Sequence, residues 1–288
     1  MSYNIAPIRF EEAIRKLKSR KEIASRLTSK QWAELSSAIR DRSFFSSRVA
    51  SARFLSYAKK QLTDFLEGKT ENVFSPEGMQ SKAFKIGGRA DFVKLMQDLA
   101  LSEGMGDPLP NGLGRGQRGL IPEITDLASN RRLKLIYDAN IQSAYGYANF
   151  EASVDPSVTD AYPAWRFVRV GWVETPRPLH QQNEGQVRLK DNTKFWLEMN
   201  KKDIGGFQVP HGPWGFNSQM DVEEVGRREA VSLGLIKKDQ KIKSPKSAFN
   251  KKLSISKDSM DSVIFKKLRK ALGKSMKLKG NKLLWAKK

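Results

Sequence analysis

Apolar positions recur at helical spacing through most of the first hundred residues. Thr28-Ser-Lys-Gln31 has the form of a capping box, and Trp32, Leu35, Ala38 and Ile39 follow on one face. A second run sets Phe45, Val49, Ala52, Leu55, Ala58, Leu62 and Phe65 on one face, with Gly68 placed to cap its end. A third covers about residues 89–102, carries Phe92, Val93, Met96 and Leu99, and closes at Gly104. Two or three amphipathic helices packed together account for this region. Residues 104–119 hold six glycines and two prolines and read as loop, either a domain boundary or an exposed functional segment.

The pattern then changes twice. Residues 125–153 read as one long helix that buries Leu133, Ile136, Tyr137, Ile141, Ala144 and Ala148. Breaks at Asp155-Pro156 and Tyr162-Pro163 precede an alternating stretch over 166–174, where Val168, Val170 and Trp172 share a face and predict a strand. A turn-rich region follows, with a short helix around 193–199. Residues 208–217 form a Pro/Gly/aromatic loop, and Asp221 caps a helix that runs through Leu233 to Gly234. Near the end, residues 261–272 form an amphipathic pattern, with Ile264, Leu268, Ala271 and Leu272 on one side and Lys266, Lys267, Arg269 and Lys270 mostly on the other. No internal repeat is present. The expected fold is α+β: a helical docking region (1–103), a Gly-rich loop or linker (104–120), a central domain with a long helix and a small antiparallel sheet (121–236), and a basic tail (237–288) that, outside the amphipathic stretch 261–272, is ordered only against a partner.

Charge sharpens this division. The 288 residues include 52 Lys+Arg against 31 Asp+Glu, a formal charge of +21. Residues 69–236 are close to neutral, with 20 basic and 21 acidic side chains, whereas residues 237–288 carry 18 basic and 3 acidic ones. That is the pattern of a folded body with a basic tail, and it makes an acidic partner the leading expectation. The absence of cysteine removes disulfides, zinc-thiolate sites, iron–sulfur clusters and thiol nucleophiles, and two histidines leave little for a multi-histidine metal site. No metal or cofactor is expected. No run approaches the ~20 apolar residues of a membrane span. The start lacks a charged segment followed by an apolar one, so the expectation is a soluble, unexported chain.

Candidate chemistry is sparse. Gly114-Arg-Gly-Gln-Arg-Gly119 matches G-x-G-x-x-G in form, but Pro108 and Pro110 before it and Pro122 after it deny the strand-to-helix setting that a dinucleotide site needs. A flexible loop is the better reading, with Arg115 and Arg118 available to phosphates. His180 and His211 with Glu174, Glu184 or Asp203 would make an acid/base set only if the fold united them, and no hydrolase or zinc-protease signature accompanies them. Trp165, Trp172, Trp196 and Trp214 are expected in a core rather than on a base-stacking surface. The basic tail is the strongest positive signal. Lys251, Lys252, Lys266, Lys267, Arg269, Lys270, Lys274, Lys277 and Lys279 are the residues expected to neutralise DNA phosphates without reading sequence.

Several segments taken in order carry a resemblance. They are Leu135-Ile-Tyr-Asp-Ala-Asn-Ile-Gln-Ser-Ala-Tyr-Gly-Tyr-Ala148, the stretch 165–173, Thr175-Pro-Arg-Pro-Leu-His180 with Glu184-Gly185, Lys194-Phe-Trp196, Pro210 with Pro213-Trp-Gly215, and Arg227-Arg-Glu-Ala230 before Leu233-Gly-Leu235. Over about residues 125–236 this series resembles the phage Mu-type minor head proteins, also called phage head morphogenesis proteins. Arg42-Ser-Phe-Phe-Ser-Ser-Arg-Val49 is also similar to a segment upstream in some members. Many members end the Trp-Gly motif with Cys-x-Cys, where this chain has Phe216 and Ser218. On the resemblance, Asn140, Arg177, His180, Trp214 and Gly215 are structural motif positions.

The resemblance implies a non-enzymatic minor head protein in the virion, assembled in the host cytoplasm. It would act in head assembly or DNA packaging at the portal or inner capsid face. Its partners would be the portal and/or major capsid protein and double-stranded DNA. Two other readings stand beside it: a general nucleic-acid-binding protein with no virion role, and an enzyme, a nuclease or transferase. Against the enzyme, the 52-residue tail is too small for an autonomous catalytic core.

Overall fold

The computed structural model describes residues 10–74, 80–105, 127–245, 254–256, 262–273, 276–280 and 282–285. The chain is α+β and divides into two compact units, residues 1–141 with 252–288, and residues 142–251.

In the first unit, α1 (Glu11–Ser19) leads to a two-residue strand β1 (Lys21–Glu22) and the short helices α2 (Ser29–Ala33) and α3 (Ser37–Asp41). The capping box forms as the sequence requires: the Thr28 hydroxyl accepts from the Gln31 amide, and the Gln31 side chain accepts from Thr28 N–H. The chain breaks after Ala33, so the expected single helix becomes two, with Leu35 and Ile39 still buried. Strand β2 (Ser43–Phe44) pairs in parallel with β1. Helix α4 (Ala52–Leu66) starts at a Ser51 cap, so Phe45 and Val49 lie before it rather than on its face. Strands β3 (Thr70–Phe74) and β4 (Gln80–Phe84) form an antiparallel hairpin, and α5 (Arg89–Ser102) follows.

Both long helices end as their glycines predicted. Gly68 N–H bonds Phe65 O while Lys69 N–H bonds Asp64 O, and Gly104 with Met105 repeats the pattern on Leu101 and Ala100. Each is a Schellman closure around a glycine at positive φ, +60° and +64°.

Helix α6 (Asn130–Ser153) spans the division between the units. It begins at a cap made by Ser129, whose hydroxyl accepts from Arg132 N–H, five residues later than the spacing implied. Tyr137 on its first half packs its ring 5.5 Å from both Phe65 and Phe92.

The second unit continues with α7 (Pro156–Ala161), β5 (Ala164–Arg169), α8 (Pro178–Asn183), β6 (Val187–Leu189), α9 (Thr193–Glu198), a 3-10 turn (Lys202–Ile204), β7 (Met220–Val225) and α10 (Arg227–Ser232). The sheet is antiparallel in the order β6-β5-β7. Two expectations are corrected here. The strand covers 164–169 and buries Trp165 and Phe167, the opposite parity to the Val168–Val170–Trp172 face, and Val170 and Trp172 lie beyond it in solvent. The helix expected from Asp221 is a strand through Val225, because residues 220–225 pair with β5, setting Glu223 opposite Arg166. The helix proper starts after Gly226 and closes at Gly234 as predicted.

After β7 the chain stays with this unit beyond residue 236. Arg227 donates to Lys238 O and Gln240 O, and Ile236 and Ile242 pack with Ala164, Val225 and Ala230. The expected boundary at 236/237 is therefore displaced towards 251.

The last elements are β8 (Ser254–Ser256), α11 (Ser262–Leu272), β9 (Met276–Lys279) and β10 (Lys282–Trp285), with sheet order β8-β10-β9. The helix expected over 261–272 is α11, and the short strands around it stand where the rest of the tail was expected to order only against a partner. Ile264, Phe265 and Leu268 of α11 are buried with Ile23, Leu35 and Ile39, flanked by Trp32, Ala38 and Phe45. An apolar stripe of this kind gains stability only by burial, and the N-terminal unit supplies the surface. The loop 106–126, including the Gly114–Gly119 motif, lies outside the described residues. Among the described residues, no helix is long and apolar enough to cross a membrane.

Candidate nucleic-acid interface

The predicted DNA-contacting residues separate into two groups. Lys266, Lys267, Arg269 and Lys270 are exposed along α11, on the arc of the helix left open by the stripe that is buried in the N-terminal unit. Lys277 and Lys279 are exposed on β9, and Lys282 on β10 joins them, a residue the sequence reading passed over. Lys251, Lys252 and Lys274 lie outside the described residues. Four cations on one helix face held by a packed opposite face form a fixed electropositive surface. Such a surface suits phosphate contacts that carry no sequence information.

The motif positions do a different job. Arg177, at the N-cap of α8, donates from Nε to Ile204 O at 2.6 Å and from Nη2 to Phe216 O at 2.8 Å. Gly215, at φ +97°, leaves room for that guanidinium: a Cβ there would stand 2.8 Å from Gly205 O and 3.0 Å from Arg177 Nη2. His180 is buried, and its Nε2–H donates to Met199 O at 2.8 Å while its ring sits edge-on to Phe167. Burial holds its pKa below the ordinary histidine value. The hydrogen bond to Met199 opposes that shift, and Arg177 and Arg169 reinforce it. The ring is therefore kept neutral. Trp214 is fully buried, edge-on to Phe167 and 5.8 Å from Trp196.

Asn140, in the first unit, accepts from Arg20 Nη1 at 3.1 Å and donates to Ile136 O. Arg20 also donates to Asp41 O, and Asp41 pairs with the buried Lys16 at 2.7 Å. Burial lowers the Arg20 pKa against the pull of Asp41.

His211 Nδ1 lies 2.6 Å from Gly212 O, and the ring packs on Phe150 and Tyr147. Glu184 pairs with Arg169 at 3.0 Å. Of the four tryptophans in this unit, Trp165, Trp196 and Trp214 are core as expected, whereas Trp172 is 83% exposed. Among the described residues, no group of three His, Cys, Asp or Glu side chains is placed to hold a metal ion.

Three structural residues escaped the sequence reading. Asn200 donates from Nδ2 to the carbonyls of Val209, His211 and Pro213 and accepts from Phe207 N–H, tying down the Pro/Gly/aromatic loop. Lys190 is buried beside Trp165, paired with Glu224 at 2.7 Å and bonded to Ser153 O. Burial lowers its pKa and Glu224 opposes the shift. Gly146 lets α6 meet the backbone of Gly212. Their signals are spatial, since a polar residue in turn-rich sequence gives no sign of burial.

Compared with known proteins, the chain matches no protein-family model, no curated protein and no solved structure.

Proposed function

We propose that this chain is a minor structural protein of a phage head. It acts in head assembly or DNA packaging at the portal or inner capsid face, and holds duplex DNA through phosphate contacts. The observation that carries the DNA contact is α11: Lys266, Lys267, Arg269 and Lys270 face solvent because Ile264, Phe265 and Leu268 face the N-terminal core. The head role rests on the ordered series of segments that resembles the Mu-type minor head proteins. Arg177, His180, Trp214 and Gly215 within that series make packing and backbone contacts, which suits a scaffold whose work is binding. The N-terminal helices are the docking region for a portal or major capsid partner. The protein is placed inside the phage head, after assembly in the host cytoplasm, and performs no catalysis.

The test is duplex binding by the full chain. Changing Lys266, Lys267, Arg269 and Lys270 together to Glu should weaken binding to unrelated sequences alike. Loss of four phosphate contacts would flatten the slope of log K against log salt by up to about 3.6. Unchanged affinity and slope would contradict the assignment.

A further inference from the structure

The β9–β10 hairpin carries a charge arrangement that its own folding disfavours. Gly280, directly after β9, stands at φ +57°, the left-handed conformation that tight hairpin turns use. The register that follows sets Lys279 directly opposite Lys282. Residues opposite one another in an antiparallel pair share a face, and so do residues two apart on one strand. Lys277, Lys279 and Lys282 therefore stand together on one side of the ribbon. All three are exposed, and among the described residues none of them pairs with a carboxylate. From residue 262 to residue 288 the sequence contains ten Lys and Arg and no Asp or Glu. Like charges directly opposite on a ribbon repel, and only an external anion relieves them.

We infer that this hairpin face is a second grip on duplex DNA, with Lys277, Lys279 and Lys282 straddling the phosphate backbone in addition to the contacts made by α11. The inference rests on the DNA-holding function proposed above and adds a site to it. The repeated charge over two separate elements fits a polyanion with regularly spaced phosphates. An anionic membrane is the weaker partner, because the apolar stripe of α11 that would enter a bilayer is already buried against Ile23, Leu35 and Ile39. The hairpin trades stability for binding: the repulsion it carries when free is cancelled when DNA is held.

The experiment compares the full chain with Lys279→Thr/Lys282→Thr, which keeps strand-forming residues at both positions. Binding to two unrelated duplexes of about 20 base pairs is followed by fluorescence anisotropy from about 50 to 300 mM salt. The pair should flatten the salt slope by about 1.8, equally on both duplexes. Without DNA, the same variant should melt at a higher temperature than the parent in low salt, and the gain should shrink as salt is added. An unchanged slope, with parent binding intact and the α11 charge reversal still effective, overturns the hairpin grip alone. No binding by the parent overturns the DNA-holding function itself. A variant that loses binding to anionic phosphatidylserine vesicles but keeps its DNA slope overturns the choice of partner.

Discussion

Gly146→Ala separates local propensity from tertiary packing because the two predict opposite signs. Gly146 lies inside α6, where alanine is favoured over glycine by about 1 kcal/mol. A Cβ at this position, however, would stand 2.2 Å from Gly212 O, 2.6 Å from Gly212 C and 3.0 Å from Pro213 N. All three are backbone atoms, so no flexible side chain can swing aside. The loop cannot drift away cheaply either, since Asn200 holds the carbonyls of His211 and Pro213 on either side of Gly212. Overpacking of this kind costs about 3 kcal/mol at the upper end of its usual range. Set against the propensity gain, a net loss of about 2 kcal/mol remains at that end of the range. In a unit of this size that lowers the melting temperature by roughly 8 °C. Tryptophan fluorescence during urea or thermal unfolding reports it, because Trp165, Trp196 and Trp214 all lie in the core of the unit concerned. A variant as stable as the parent, or more stable by the propensity term, would refute the close approach of α6 to the loop.

Asn200→Ala leaves Phe207 N–H and up to three loop carbonyls without their partner, and should cost about 3 kcal/mol or more, read as a lower urea midpoint at unchanged m. His180 has a folded-state pKa below its unfolded value, so the unfolded chain binds the extra proton. Stability should fall as pH drops below about 6.5 towards the lowered folded pKa, and this dependence should shrink in His180→Gln, measured as urea midpoints at successive pH values. Leu268→Ala should cost about 2–5 kcal/mol by leaving a cavity beneath α11. Exposed Lys266→Ala should change stability by less than about 0.5 kcal/mol, so thermal melts of the two variants distinguish a docked helix from a free tail.

Features set by neighbouring residues were the readable ones. Gly68, Gly104 and Gly234 marked helix ends because a left-handed residue after the last turn is nearly reserved for glycine. Thr28 and Gln31 marked a helix start for an equally local reason. What a distant strand decides was not readable. Met220-Asp-Val-Glu-Glu-Val225 lacks strict alternation and looked helical, and only pairing with β5 makes it a strand. The stripe of α11 was visible as a pattern, but its partner surface lies more than two hundred residues earlier, on Ile23, Leu35 and Ile39. At the candidate interface, the helix cations were legible from the amphipathic pattern. Lys282 was not, because its place beside Lys279 comes from hairpin register.

The proposed role in a phage head is tested most directly by quantitative mass spectrometry of purified virions and of DNA-free procapsids from a culture that encodes this chain. The account predicts the protein in both particles at a low, fixed ratio to the major capsid subunit. Absence from both, with duplex binding by the purified chain intact, would contradict it and leave a nucleic-acid-binding protein that works outside the particle.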